Sequence, residues 1–274
     1  MNLYEFLQQL EEARIPWPKE KSQRLFEETV DRIALAVELD TSTLRSVNLD
    51  FKSTPIFGQC GCGTENGKFA QCININAILQ YDGLEDVFIN NVCHEFCHFI
   101  LNCQMYEKGY IVIDDNGMHH EFPSKDIEEA YLANSGHGKL FLELAAEISQ
   151  KLNLKYQITP TVDNICHMLV DETHSDYWTY KVYCDKCDTE LKFYTEEFED
   201  FFDDLVQLVD GDPLQAASFF LQIYKATFEG EENNLCKCNG CLKFASNDGY
   251  DLTGFKHKVE GLMSVLFLKA MFRM

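Results

Sequence analysis

Apolar residues recur at helical spacing in the first part of the chain. Residues 2–13 and 19–39 each read as an amphipathic helix, and Leu25, Val30, Ile33, Ala34 and Val37 mark the apolar stripe of the second. Pro16 and Pro18 separate the two, and Asp40-Thr41-Ser42 ends the second. The pattern then turns to strand. Val47, Leu49 and Phe51 alternate with polar residues, residues 69–76 alternate again, and Asn66-Gly67 between them is a strong hairpin signal. A small antiparallel sheet is expected here. From Leu84 to Leu101 the period is helical, with Phe88, Ile89, Val92, Cys93, Phe96, Cys97, Phe99 and Ile100 spread around most of the circumference. Such a helix is buried almost all round. Residues 108–122 predict a second hairpin and residues 124–133 a short helix. Gly136-His137-Gly138 then opens a longer helix that runs to about Leu152.

The buried helix carries His94-Glu95-Phe96-Cys97-His98, an H-E-x-x-H pentapeptide. Residues four apart share a helix face, so His94 and His98 can bind one ion together. In a 3.6-residue helix Glu95 projects about 100° from His94 and about 60° from His98, beside such an ion rather than on it. Two histidines and a glutamate are costly on a buried helix unless they are paired or metal-bound. His137 is in phase with Phe141, Leu144, Ala145, Ile148 and Leu152, so it opens an apolar stripe that faces the core and is the expected third ligand. Glu128 and Glu129 are the alternative, ranked second because their surroundings read as a solvated face. The extended H-x-x-G-x-x-H arrangement is excluded by Leu101 and Gln104. With three ligands, catalytic zinc keeps a fourth position for water, and Glu95 is placed to take the proton of that water.

Twelve cysteines change the picture again. Cys184-x-x-Cys187 and Cys236-Lys-Cys238-Asn-Gly-Cys241 are knuckle-like, and Cys184, Cys187, Cys238 and Cys241 would form a closed tetrahedral site suited to structural zinc. Cys236 is a spare thiol able to replace Cys238. A β-like run follows each pair, and 50 residues lie between Cys187 and Cys238, so a helical insertion over 195–230 is expected to split the two halves. Cys60, Cys62 and Cys72 on the first hairpin are expected to be small buried side chains on one face of the sheet. His119-His120 is expected to be exposed, and nothing demands a role for His167 or His174.

The 274 residues, 46% hydrophobic, suffice for one domain and an appendage or two small domains. The expected division is 1–155 and 156–274, with ribbon segments 178–192 and 234–245 and a C-terminal helix over 252–273. The start lacks a basic, apolar leader, and Leu262–Phe272 is too short to span a bilayer, so a cytoplasmic protein without a membrane partner is expected. A net charge of −22 disfavours nucleic acid. Residues 190–234 alone hold twelve Asp or Glu and two Lys, expected to form a solvated helix pair, with a dock for a basic partner as the alternative.

These residues, in this order, resemble the SprT-like family, which includes the Spartan proteases. The shared pattern is an Ile-Asn-Ile-Asn strand at 73–76, the helix with His94-Glu95-x-x-His98, and Gly136-His137-Gly138 with Phe141 four residues after the histidine. Trp178-x-Tyr180-x-x-Tyr183-Cys184-x-x-Cys187 completes it. The resemblance covers roughly residues 20–192 and 234–245. It implies an α+β fold in which a zincin-like metalloprotease domain precedes a zinc ribbon. The ligands of catalytic zinc would be His94, His98 and His137, with Glu95 the general base and a second zinc in the ribbon. Characterised members cleave proteins crosslinked to DNA, so the implied partners are a protein substrate and DNA. This chain departs from the pattern in the long span between His98 and His137, the split ribbon and its acidity. The expected function is zinc-dependent peptide hydrolysis. The alternative is a non-enzymatic zinc protein with an acidic docking surface.

Overall fold

The most thoroughly apolar strand takes the centre of the first sheet. In a computed structural model of the protein, β1 (Leu44–Phe51), β2 (Gly58–Glu65) and β3 (Lys68–Asn76) are ordered β1-β3-β2. Residues 3–37, 39–52, 56–114, 117–125, 127, 137–158, 162–194, 213–247 and 256–257 are described. β3 buries Phe69, Ile73 and Ile75. β2 pairs with it antiparallel through a turn in which Asn66 and Gly67 both take positive φ, 52° and 71°, as a tight hairpin requires. β1 pairs with β3 in parallel, Leu44 opposite Gln71 and Phe51 opposite Asn76. The sheet is therefore mixed, where the alternation predicted an antiparallel one. The hairpin partner occupies one edge of β3, and β1 covers the other while running opposite to β2. The register also corrects the grouping of thiols. Cys60 faces Ile73 and Cys62 faces Gln71, but Cys72 faces Gly61. Opposed residues share a face, so Cys72 stands on the face opposite Cys60 and Cys62.

Six α-helices are present among the described residues: α1 (Leu3–Ala13), α2 (Lys19–Val37), α3 (Glu85–Glu107), α4 (Lys139–Leu152), α5 (Val162–Thr173) and α6 (Pro213–Phe228). With the strands they make an α+β protein. The chain divides into two compact units, Gln9–Thr173 and Met1–Gln8 with His174–Met274. The division falls after α5 rather than at residue 155, because α5 packs on α3.

In the first unit α3 is central and touches β2, β3, α2, α4 and α5. Its apolar residues Val87, Phe88, Val92, Phe96 and Phe99 are fully buried, as the all-round pattern predicted. Phe96 meets Phe26 of α2 at 6.1 Å between ring centres, and Phe88 meets Trp17 edge-on at 5.3 Å. Asn90 donates to the carbonyls of Tyr156 and Gln157, at 3.0 and 3.2 Å, tying down the chain beyond α4. The predicted second hairpin forms as β4 (Ile111–Asp114) and β5 (Gly117–His120). It packs on Phe69 of β3, Met105 of α3 and Leu140 of α4. The short helix expected over 124–133 lies largely outside the described residues.

In the second unit β6 (Tyr180–Cys184), β7 (Glu190–Phe193) and β8 (Leu242–Ser246) form an antiparallel sheet ordered β7-β6-β8. α6 lays Phe220, Ile223 and Tyr224 against Val182, Phe193 and Phe244. Phe6 stacks on Tyr177 at 4.6 Å, and the Tyr177 hydroxyl donates to the Tyr194 carbonyl at 2.9 Å. Of the predicted insertion, α6 is described and residues 195–212 are not. The C-terminal helix expected over 252–273 also lies outside the described residues, apart from Lys256 and His257. No helix among the described residues is long and apolar enough to cross a membrane.

The centre of the sheet carries the first unit's stability. Ile73→Ala, at a fully buried position, is expected to lower the unfolding free energy by ~2–5 kcal/mol. Leu35→Ala, at a position 87% exposed on α2, should change it by under ~0.5 kcal/mol in the same denaturant titration.

Candidate metal centres

His94 and His98 stand one turn apart on α3, and His137 immediately precedes Gly138, the N-cap of α4. Phe141, one turn into α4, lies against all three imidazoles with centroid distances of 4.8–4.9 Å. The Nε2 atoms converge: 3.3 Å between His94 and His98, 3.1 Å between His98 and His137, and 3.3 Å between His94 and His137. A tetrahedral zinc with Zn–N distances of ~2.0–2.1 Å holds its nitrogens ~3.3–3.4 Å apart, so the spacing fits that ion. Three nitrogens of one kind facing a common point also suit a cation better than one another, since a neutral imidazole has only one N–H to offer. Burial, with His137 alongside, pushes His98 down to about 4, and burial lowers His137 too. Both shifts favour the neutral ring, the form that ligates metal. His94 is buried, His98 half-buried and His137 exposed, so the cluster opens to solvent on one side. The rival ligands Glu128 and Glu129 lie outside the described residues.

Glu95 is 3% exposed and turns toward β2, where its carboxyl accepts a hydrogen bond from the Cys60 backbone N–H. Burial pushes its pKa up to about 8. A cation held by the histidines would draw it back down. Gly58 makes room for this carboxyl. A Cβ there would overlap Glu95 Oε1 and stand 2.7 Å from Asn91 Oδ1. Sequence reasoning did not single out Gly58 or Asn91. The available signal was a glycine inside a strand, which often marks close approach of another group.

The second centre gathers four thiols: Cys184, Cys187, Cys236 and Cys238. Cys184 lies 3.4 Å from Cys238, Cys187 3.6 Å from Cys236, and Cys236 3.5 Å from Cys238. Tetrahedral zinc with ~2.3 Å Zn–S bonds has sulfurs ~3.8 Å apart, close to these values. The fourth member is Cys236, where the C-x-x-C spacing had proposed Cys241. A tight turn explains the difference. Asn239 takes φ 58° and donates to the Cys236 carbonyl at 2.8 Å, which folds Cys236 and Cys238 toward the same point. Cys241 instead starts β8. Its N–H donates to Asp185 Oδ1 at 2.8 Å, and its buried thiol turns to the Leu242 carbonyl. Gly240 completes the turn, because a Cβ there would overlap Cys184 Sγ. The thiols share their protons: hydrogen bonds from Thr189 pull Cys187 down to about 6, while the neighbouring cysteines push Cys238 up to about 12.

Other candidates are not drawn into either cluster. Cys60 Sγ lies 3.8 Å from Gln71 Oε1, and Gln71 Nε2 donates to Cys103 Sγ at 3.2 Å. Both contacts are ordinary satisfaction of a buried amide. His119, His120, His167 and His174 are exposed.

Metal analysis by mass spectrometry separates the two cysteine assignments. Cys236→Ser is expected to lose one of two metal equivalents, and Cys241→Ser to keep both. Gly58→Ala should leave both metals in place while displacing Glu95, visible as a shift of that carboxyl in a crystal structure of the variant. No family model, curated protein or solved structure matches this chain.

Proposed function

We propose that the chain is a zinc-dependent metalloendopeptidase of the SprT-like type. In this reading Gln9–Thr173 is a zincin-like unit, and β6, β7 and β8 with their four thiols form a zinc ribbon. The observation that carries it is the contrast between the two clusters. Four cysteines close a tetrahedron and suit structural zinc. Three histidines leave one corner free on the side that faces solvent, which suits catalysis. His94, His98 and His137 would hold the catalytic ion, and Cys184, Cys187, Cys236 and Cys238 the structural one.

Zinc, when bound by three nitrogens, brings the pKa of a water toward neutrality and polarises a carbonyl. The rest falls to residues of the chain. Glu95 takes the proton of the attacking water on its carboxylate as oxygen adds to the peptide carbonyl. It then gives that proton to the departing amine as the C–N bond breaks. Its place beside His94 on α3 supports this role, and burial against β2 offsets part of the lowering that a bound cation would cause, which leaves a carboxylate able to accept a proton and return it. Phe141 keeps the three imidazoles oriented and shields them from water on the inner side. The substrate proposed is protein. A net charge of −22 opposes a polyanion, so DNA, implied by the resemblance, enters here only as an arm of the test.

The test is cleavage of dye-labelled casein, with and without DNA, alongside zinc analysis. Glu95→Gln is expected to keep both zincs and lose ~10²-fold or more in rate. His137→Ala should lose one zinc together with cleavage. Undiminished cleavage by Glu95→Gln removes the assigned role, and a wild type that holds two zincs without cleaving favours the non-enzymatic reading.

A further inference from the structure

Asn90 and Asn91 are adjacent on α3, nearly equally buried at 3% and 1% exposure, and differently used. Asn90 spends its amide on two backbone carbonyls. Asn91 carries its Oδ1 into the interior with no hydrogen-bond donor, one of two such side-chain atoms among the described residues. A buried acceptor without a partner is destabilising and calls for an explanation. Its surroundings supply one. Asn91 is one helical turn before Glu95, so the two side chains share a face. Both oxygens also crowd the space that Gly58 leaves empty. In the proposed reaction Glu95 carries a hydrogen between its two proton transfers, and in that interval it is a donor one turn from an acceptor that has none.

We propose that Asn91 is a positioning residue for Glu95: its Oδ1 accepts a hydrogen bond from the Glu95 carboxyl while that group holds the proton in transit from water to amine. The inference rests on the peptidase reading above. The bond keeps the proton-bearing oxygen against β2 in the interval between the two transfers. Asn91 itself exchanges no proton, and the proton leaves with the amine. The Cys60 N–H holds the same carboxyl from the strand side, so it is fixed from two directions. The geometry alone carries the pairing: an orphaned acceptor, a neighbour one turn away, and a glycine that no side chain can replace without striking both.

The experiment is a double-mutant cycle with two readouts on full-length, zinc-loaded protein. In Glu95→Gln the new amide N–H is a permanent donor for Asn91 Oδ1. The melting temperature gained by Glu95→Gln is expected to be ~2–4 °C larger with Asn91 present than in the Asn91→Leu background. Asn91→Leu alone should melt no lower than wild type, because it removes the orphan atom. It should also lower kcat for casein ~10-fold with KM within about twofold. Asn91→Asp, which keeps the Oδ1 acceptor and the volume, should retain the coupling to Glu95→Gln, and Asn91→Ala, which removes the acceptor, takes the place of Asn91→Leu in the cycle if that variant fails to fold. Additive melting shifts, or an unchanged kcat in Asn91→Leu, would overturn the proposal. Coupling in a wild type that does not cleave would leave the pair standing and remove the peptidase reading.

Discussion

The first unit depends on one constraint, the cost of placing ionisable groups on a helix that is enclosed over most of its surface. α3 is enclosed by β2, β3, α2, α4 and α5, and it carries two imidazoles and a carboxyl into that enclosure. Groups of that kind are tolerated inside a protein when other atoms replace the water they lose. The imidazoles are answered by His137, just ahead of α4, and by a geometry that suits a cation. The carboxyl is answered by the Cys60 N–H. Much of the surrounding architecture follows from these needs: α4 must start close to α3, Phe141 must pack beneath the rings, and β2 must offer a glycine where Glu95 turns in.

The second cluster solves a different problem by different means. Four thiols at one end of a three-stranded sheet bring together segments 49 to 54 positions apart in sequence. A small sheet buries little apolar surface by itself. α6 supplies an apolar face, and a closed metal site would supply a crosslink. The turn at Asn239-Gly240 decides which thiols take part. A positive φ and a missing side chain allow two cysteines separated by one residue to reach the same point.

Much of this was legible in the sequence. The all-round apolar pattern of residues 84–101 announced a buried helix, and the phase of His137 with Phe141 placed it on the face that meets His94 and His98. Asn66-Gly67 announced its hairpin. What was not legible depends on pairing between distant segments. The parallel union of β1 with β3 leaves no mark in the alternation of either strand. The same holds for Cys72, whose face is set by pairing with Gly61. Cys236 displaced Cys241 because backbone hydrogen bonds to Asp185, 56 residues earlier, claim Cys241 for the start of β8. The C-x-x-C spacing could not reveal that competition. Asn91 was hidden for a related reason: an asparagine on a buried helix reads the same whether its amide is satisfied, as in Asn90, or left open beside a carboxyl.

The central claim is that the chain builds an open three-nitrogen metal site separate from a closed four-sulfur one. X-ray absorption at the zinc edge tests it most directly. Protein loaded with two equivalents of zinc should give two shells, nitrogen or oxygen at ~2.0–2.1 Å and sulfur at ~2.3 Å. In Cys236→Ser carrying its remaining equivalent, the sulfur shell should vanish and leave nitrogen and oxygen alone. A sulfur-only shell in the wild type, with no nitrogen site filled at any loading, would contradict the account.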